Sequence, residues 1–310
     1  MPNIFVTMVS SLISLFICMA AGYLCRKVNI LNRGVTGSLS SFLILITQPC
    51  TIFMSLQRPF SIELLFECFI VFCIAVAAHF IGWLIGFALA KALKLEKDVA
   101  VIWQFVLIFS NIAYMGIPII NAIYGSDGLI FNAMFITAFN LFAFTIGIKL
   151  FESNKNPDTN VFNWRTFVKN PPLIAIFLGL IFFITSLSFP APIQNGFKLL
   201  SDMTTPLSLV IVGSTLAMND ITKIFNDKKL YILMFFRLIF LPMIVLICAK
   251  PFIHNPVMLG TSVITVGMPS AALVAIFAER YEGNSDYASK AVFVSTVLCL
   301  VTTPILTLFL

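Results

Sequence analysis

An apolar run from residue 99 to residue 124 is long enough to cross a bilayer, yet Gly116 and Pro118 stand inside it. The stretch reads Ser110-Asn111-Ile112-Ala113-Tyr114-Met115-Gly116-Ile117-Pro118-Ile119-Ile120. Proline has no N–H to donate and its ring clashes with the carbonyl four residues back, so the helical ladder is expected to open near Tyr114. Backbone groups freed inside hydrocarbon survive only against protein or a polar cavity, so an interrupted membrane helix usually lines a site. A second break of the same form is read at Val266-Gly267-Met268-Pro269-Ser270-Ala271. The two broken helices are expected to cross, with a substrate bound between them.

The rest of the chain agrees with a membrane setting. Of its 310 residues, 60% are hydrophobic and 10% charged, and at ~20 apolar residues per crossing there is room for about ten crossings with short loops. The net charge of +6 is no nucleic-acid footprint, because the basic residues flank apolar runs instead of forming one patch. Seven cysteines lie in or beside apolar runs and form no CxxC, so neither a disulfide framework nor a zinc site is expected. The first Lys or Arg is Arg26, so the first run lacks the basic start of a cleavable signal.

Apolar periodicity places spans at residues 3–25, 34–56, 62–90, 99–124, 128–150, 166–188, 193–218, 229–249, 256–279 and 287–310. Loops after odd-numbered spans then carry 15 of the 19 Lys and Arg, from Arg26, Lys27 and Arg33 through to Arg280 and Lys290. Only Arg58, Lys198 and Lys250 fall on the other side, and Arg237 lies within the eighth span. The positive-inside rule makes the basic loops cytoplasmic and leaves both termini outside, in a multi-pass protein of the cell membrane.

The longest polar connection, about residues 152–163, divides the chain into a first five-helix half (1–151) and a second (164–310). Ile46-Thr47-Gln48-Pro49 answers Met203-Thr204-Thr205-Pro206, and Gly116-Ile117-Pro118 answers Gly267-Met268-Pro269. Ala133-Met134-Phe135-Ile136-Thr137 answers Ala291-Val292-Phe293-Val294-Ser295. An odd number of spans per half turns the second half upside down, so the expected fold is all-α, with ten spans in two inverted repeats.

In such a fold the trailing half-helices, starting near Pro118 and Pro269, aim free N–H groups and about half a positive charge each at the membrane centre. Few cationic side chains are expected there, so helix ends and polar groups would hold a carboxylate. Asn111 lies about two turns before Pro118 and offers an amide, and Thr47, Gln48, Thr204 and Thr205 add hydroxyl or amide contacts. Tyr114, Met115, Gly116, Pro118, Gly267, Met268, Pro269 and Ser270 complete the candidate substrate site. The plainer role of Asn111 is to tie helices together. His79, mid-span, is either a proton relay or a neutral imidazole bonded to a neighbouring helix. Arg237 either snorkels to the interface or lines an inner vestibule. Lys198 and Asp202, four apart, are expected to pair, and Glu63 and Glu67 suit the start of a helix. No HExxH, Walker A lysine or GxSxG is present, so no enzyme, cofactor or metal is expected.

The pattern Asn111-x-x-x-x-Gly116-x-Pro118, with Gly267-Met268-Pro269, Phe277-Ala278-Glu279-Arg280-Tyr281 and Ser295-Thr296 in the closing helix, resembles the auxin efflux carrier family. That family includes plant auxin carriers and bacterial malonate-type permeases. The resemblance implies a scaffold of spans 1, 2, 6 and 7 and a transport domain of spans 3–5 and 8–10, moving as an elevator. It further implies organic-anion substrates, a homodimer in the bilayer, and Asn111 as the crossover asparagine. The short central loop departs from the plant pattern, so auxin itself is not implied. A sodium- or proton-coupled symporter of the bile-acid type, or a membrane sensor that binds its ligand without moving it, are the alternative readings.

Overall fold

Twelve helical segments, all but one joined by short connections, make up the described part of the chain. The structure, a computed structural model, describes residues 4–152, 169–218, 227–281 and 283–310. The expected central connection, with Lys155 and Arg165, lies almost wholly outside these residues, as does Lys223. In chain order the segments are α1 (Ile4–Lys27), α2 (Arg33–Ser55), α3 (Ile62–Ala92), α4 (Lys97–Ile108), α5 (112–124) and α6 (126–152). They continue as α7 (Pro171–Thr185), α8 (Ala191–Leu216), α9 (Lys228–Ala249), α10 (Pro256–Val266), α11 (Leu273–Arg280) and α12 (Ser285–Thr307). Gly125 separates α5 from α6 by taking φ 58°, a left-handed backbone open to glycine at little cost.

Among the described residues six helical runs are long and apolar enough to cross a membrane: α2, α3, the run Ile112–Phe151, α8, α9 and α12. Large apolar side chains are exposed on these and on other helices, among them Ile17 on α1, Phe66 and Phe87 on α3, and Phe177 on α7. In water so much exposed apolar surface would aggregate; in lipid it is the expected surface of a multi-pass membrane protein.

Local chemistry explains where the helices start. Asn32, Asn170, Asp227, Asn255 and Asn284 each accept a hydrogen bond from a backbone N–H of the following turn, opening α2, α7, α9, α10 and α12. Pro171 and Pro256 sit at the first helical position, where a missing N–H costs nothing.

Three wide π-helical turns have a shared cause. They cover Leu43–Thr47, Ile112–Gly116 and Phe236–Phe240, and each ends two residues before a proline: Pro49, Pro118 and Pro242. The carbonyl that each proline deprives of a donor belongs to Leu45, Tyr114 or Leu238, the third residue of its turn. The ladder absorbs the proline by widening upstream, without breaking. A fourth such turn, Ala143–Gly147, has no proline behind it.

The chain divides into two compact units. The first takes the described residues through Phe72, Ala113–Thr137, and the stretch from Lys169 through Met218. Within it α1 and α8 touch backbone to backbone. A Cβ at Gly22 would lie 2.1 Å from the Val210 carbonyl oxygen, and one at Gly213 would lie 1.9 Å from that of Met19. Hydroxyls join α2 to α8, Thr36 to Ser214 at 2.9 Å and Thr51 to Thr204 at 2.7 Å. Phe53 packs against Phe182, Phe189 and Phe197. The expected Lys198–Asp202 pair is present at 3.2 Å, and Arg58 pairs with Asp127 at 2.9 Å.

The second unit takes Cys73–Ile112, residues 138–152, and the described chain from Asp227 to Leu310. Here α3 lies against α4 through Gly82 and Gly86, where a Cβ would meet the Leu107 carbonyl oxygen at 2.4 Å and the Gln104 Cα at 2.8 Å. The Trp103 indole donates to the Tyr287 hydroxyl at 2.9 Å, tying α4 to α12.

Substituting Gly213 with Val is expected to lower the melting temperature in detergent, since overpacking a tight contact costs about 1–3 kcal/mol or more. Gly196→Ala, at a site with nothing within 4 Å, is the matched control and is expected to melt like the wild type. Equal melting of the two variants in a thermal-shift assay would refute the close α1–α8 packing.

Candidate functional site

The two interrupted spans meet within the second unit. α4 ends at Ile108, where Phe109 turns extended (φ −107°, ψ 109°), and α10 ends at Val266. Ser110 and Ser270 then pair as an isolated antiparallel bridge. The Asn111 N–H donates to the Pro269 carbonyl at 2.7 Å, and the Ala271 N–H donates to the Phe109 carbonyl at 3.0 Å. Two strand-like hydrogen bonds thus satisfy backbone groups that no helix could satisfy at this point. The trailing halves begin at Ile112 and Leu273.

This places the first break earlier than Pro118 suggested. The chain leaves the helix at residues 109–111, so Asn111 lies in the break and not two turns ahead of it. Tyr114, Met115, Gly116 and Pro118 belong to the trailing half-helix. The reason is the π turn described above, which accommodates Pro118 by widening. In the second break Gly267, Met268, Pro269 and Ser270 do lie between the halves, all of them buried.

The centre of the site is a side chain expected at the interface or in a vestibule. Arg237 is 1% exposed, so it neither snorkels to the interface nor lines an open vestibule. Its Nη1 donates to the Leu107 carbonyl at 3.1 Å, and its Nη2 to the carbonyls of Val266 at 3.0 Å and Met268 at 3.2 Å, and to the Ser110 hydroxyl. The Leu107 and Val266 carbonyls belong to the C-terminal ends of α4 and α10, and that of Met268 lies in the break just beyond α10. Each helix end carries roughly half a negative charge, so two ends balance one guanidinium. A planar fork of donors suits several carbonyls at once, which an ammonium would not. The expectation of few cations near the centre is therefore amended: one is there, and helix ends hold it.

The break leans on α12 as well. The Ser270 N–H donates to the Ser295 hydroxyl at 3.1 Å, which itself donates to the Val292 carbonyl at 2.9 Å. Ser110, Arg237 and Ser295 are the site residues that sequence reading passed over or placed elsewhere. The signal for Arg237 was there, since a cation in the middle of an apolar span must find partners.

His79 sits on α3 among the rings of Phe109, Phe139 and Phe142. Its Nδ1 donates to the Ala75 carbonyl at 2.7 Å, one turn back on its own helix. The expected bond to a neighbouring helix is therefore not the one seen. Nε2 is buried and meets no donor among the described residues. The remaining candidates lie in the first unit. Thr47 and Gln48 are buried on α2, and Thr205 is half-buried on α8, its carbonyl accepting from Ser208. Tyr114 is hydrogen-bonded to Ser40.

A helical membrane protein whose two interrupted helices pair through their breaks has the form of a carrier. The chain belongs to the membrane transport protein family, the auxin efflux carrier family, which matches residues 7–307. It is 23% identical over 303 residues to an uncharacterized transporter of Methanothermobacter thermautotrophicus, covering 97% of this chain and 98% of that one. It is 22% identical to a putative malonate transporter of Rhizobium meliloti, covering 91% of this chain and 89% of the other. Auxin efflux carrier component 1 of Arabidopsis thaliana is 23% identical over 44% of this chain and 23% of its own length. The family resemblance read from the crossover motifs is thus borne out, and the protein is a transporter and not an enzyme.

His79→Leu is expected to leave both the transport rate and its pH profile unchanged, because the ring bonds only to its own helix. A profile that flattens in the variant would assign His79 a proton-carrying role. Ser295→Ala, by contrast, strips a buried N–H of its acceptor and is expected to cost about 1–3 kcal/mol, seen as a lower melting temperature.

Proposed function

We propose that this transporter is a secondary carrier of small organic anions, working by alternating access with its substrate held at the crossover. The observation that carries the reading is the Ser110–Ser270 bridge with Arg237 behind it. The guanidinium offsets the negative helix ends, so the positive N-terminal ends of α5 and α11 face no net opposing charge. No Asp or Glu occurs between Asp98 and Asp127, between Asp227 and Glu279, or after Asp286. Carboxylates that would bind a cation are therefore lacking along α5, α9 and α10, and along α4 beyond Asp98 in its first turn. An anion meets helix N-termini and neutral donors there, a setting used for carboxylates in other carriers. The relative named for malonate supports a carboxylate class.

The finer architecture belongs to the same reading. Ten spans form two inverted five-helix repeats, with α4–α5 and α10–α11 as the interrupted fourth and ninth, both termini outside, and two copies forming the working dimer. In support of an elevator, α1, α2, α7 and α8, which correspond to the proposed scaffold spans, lie wholly in the first unit. α4 and α9 to α12 lie wholly in the second, α5 lies in the first from Ala113 on, and α3 and α6 are divided between the two. Within the second unit the substrate contacts are Asn111, Gly267, Met268, Pro269 and Ser270; Thr47, Gln48, Tyr114, Met115, Gly116, Pro118 and Thr205 are the candidates on the first unit.

In proteoliposomes the protein is expected to catalyse counterflow of labelled malonate or a similar small dicarboxylate. Asn111→Ala is expected to weaken apparent substrate affinity roughly tenfold, in keeping with loss of a hydrogen bond to a charged group worth about 1.5 kcal/mol, while the protein stays monodisperse. Unaltered counterflow in that variant would remove the crossover from the site. Ligand-induced thermal shifts without any flux would instead favour the sensor reading.

A further inference from the structure

The carbonyls that hold Arg237 form the kind of ligand set a small cation takes. Leu107 and Val266 offer carbonyl oxygens from two helix C-termini, Met268 offers a third from the unwound break, and Ser110 adds a hydroxyl. In cation-coupled carriers with interrupted helices, unwound carbonyls and half-helix C-terminal ends coordinate the driving ion. Hard oxygen ligands of this sort suit alkali and other hard cations. In this chain a side chain occupies that position, and it is buried to 1% exposure.

We propose that Arg237 is a tethered substitute for a coupling cation: it fills a carbonyl cage that would otherwise take a monovalent ion, and so makes the carrier independent of sodium. Three further observations bear on this. The cage is built from both interrupted spans, so whatever fills it joins the two breaks. α9 and α10 carry no carboxylate, and those of α4 and α12, Asp98 and Asp286, sit in the first turns of their helices. The Nε of Arg237 meets no partner among the described residues, so the group is held through its terminal nitrogens by the cage. A fixed charge cannot be released to either side of the membrane, and a gradient of free cations then has nothing to act on. The inference builds on the carrier reading above, but ion binding is measured here without substrate or flux, so the two fail separately.

The test uses purified full-length protein in detergent. Wild type, Arg237→Ala and Arg237→Lys are melted in buffers of equal ionic strength containing sodium, potassium, choline or guanidinium chloride at low millimolar concentration. Wild type is expected to melt alike in all four. Arg237→Ala, its cage opened, is expected to melt several degrees lower in choline and to recover in sodium or guanidinium, because a ligand that binds only the folded state raises its stability. Arg237→Lys, which keeps the charge, is expected to stay indifferent to sodium. A sodium-dependent shift in the wild type overturns the proposal. So does an Arg237→Ala protein rescued by guanidinium but not by sodium or potassium, which would show a clamp shaped for arginine alone. Failure of Arg237→Ala to yield monodisperse protein even when purified in sodium also overturns it, since the ion should then rebuild the crossover.

Discussion

A charge in hydrocarbon must find its solvent in the protein, and Arg237 finds it in the ends of two helices. Taking an ion out of water costs several kcal/mol even after relaxation. Three carbonyls and a hydroxyl supply the compensation, and they need it as much as the arginine does. A helix that stops in the middle of a membrane leaves its last carbonyls unpaired where no water reaches them. The guanidinium and the broken helices therefore stabilise each other, and neither feature is tenable alone at that depth. The antiparallel bridge of Ser110 and Ser270 and the contact of Ser270 with Ser295 complete the satisfaction of the same backbone.

The electrostatic character of the site follows from this arrangement. Every interrupted helix has two ends, and their dipoles oppose. Once Arg237 has taken the negative ends, the positive ends of the trailing halves are left to act on whatever enters. With no Asp or Glu between Asp98 and Asp127 or between Asp227 and Glu279, the proposed carrier would favour an anion over a cation there. In that reading the preference would arise from backbone geometry plus one side chain, with no lysine pointing into the pathway.

Much of this was legible in the residues. The helices at 62–92, 228–249 and 285–307 fall within a few residues of their expected positions, because long apolar runs leave little freedom and Asp227 and Asn284 cap the latter two. The two breaks and their mutual contact were legible too, from Gly-x-Pro inside apolar stretches. What misled was the weight put on Pro118. A proline removes one donor, but a π turn restores continuity around it, and nothing in a single sequence distinguishes a widened turn from a break. The fate of Arg237 was hidden for a different reason. Its partners are carbonyls, which every residue has, so no side-chain pattern announces them. His79 and the hydroxyls of α2 and α8 were visible as polar residues in apolar runs, but their hydrogen bonds within and between helices emerge only from packing.

If the halves are the inverted repeats we propose, an arginine on α9 without a matching one on α3 is at first sight odd. Charge balance accounts for it. Each leading half-helix contributes about half a negative charge at its C-terminus, so the two together are matched by a single cation. A second guanidinium in the corresponding part of α3 would leave one full positive charge unmatched in hydrocarbon, at a cost of several kcal/mol. On α3 the polar residue beside the break is instead His79, an imidazole whose N–H is spent on its own helix and whose ring packs against Phe109. The crossover can be symmetric in its backbone only if it is asymmetric in its charges, with Arg237 on α9 and the self-bonded His79 on α3.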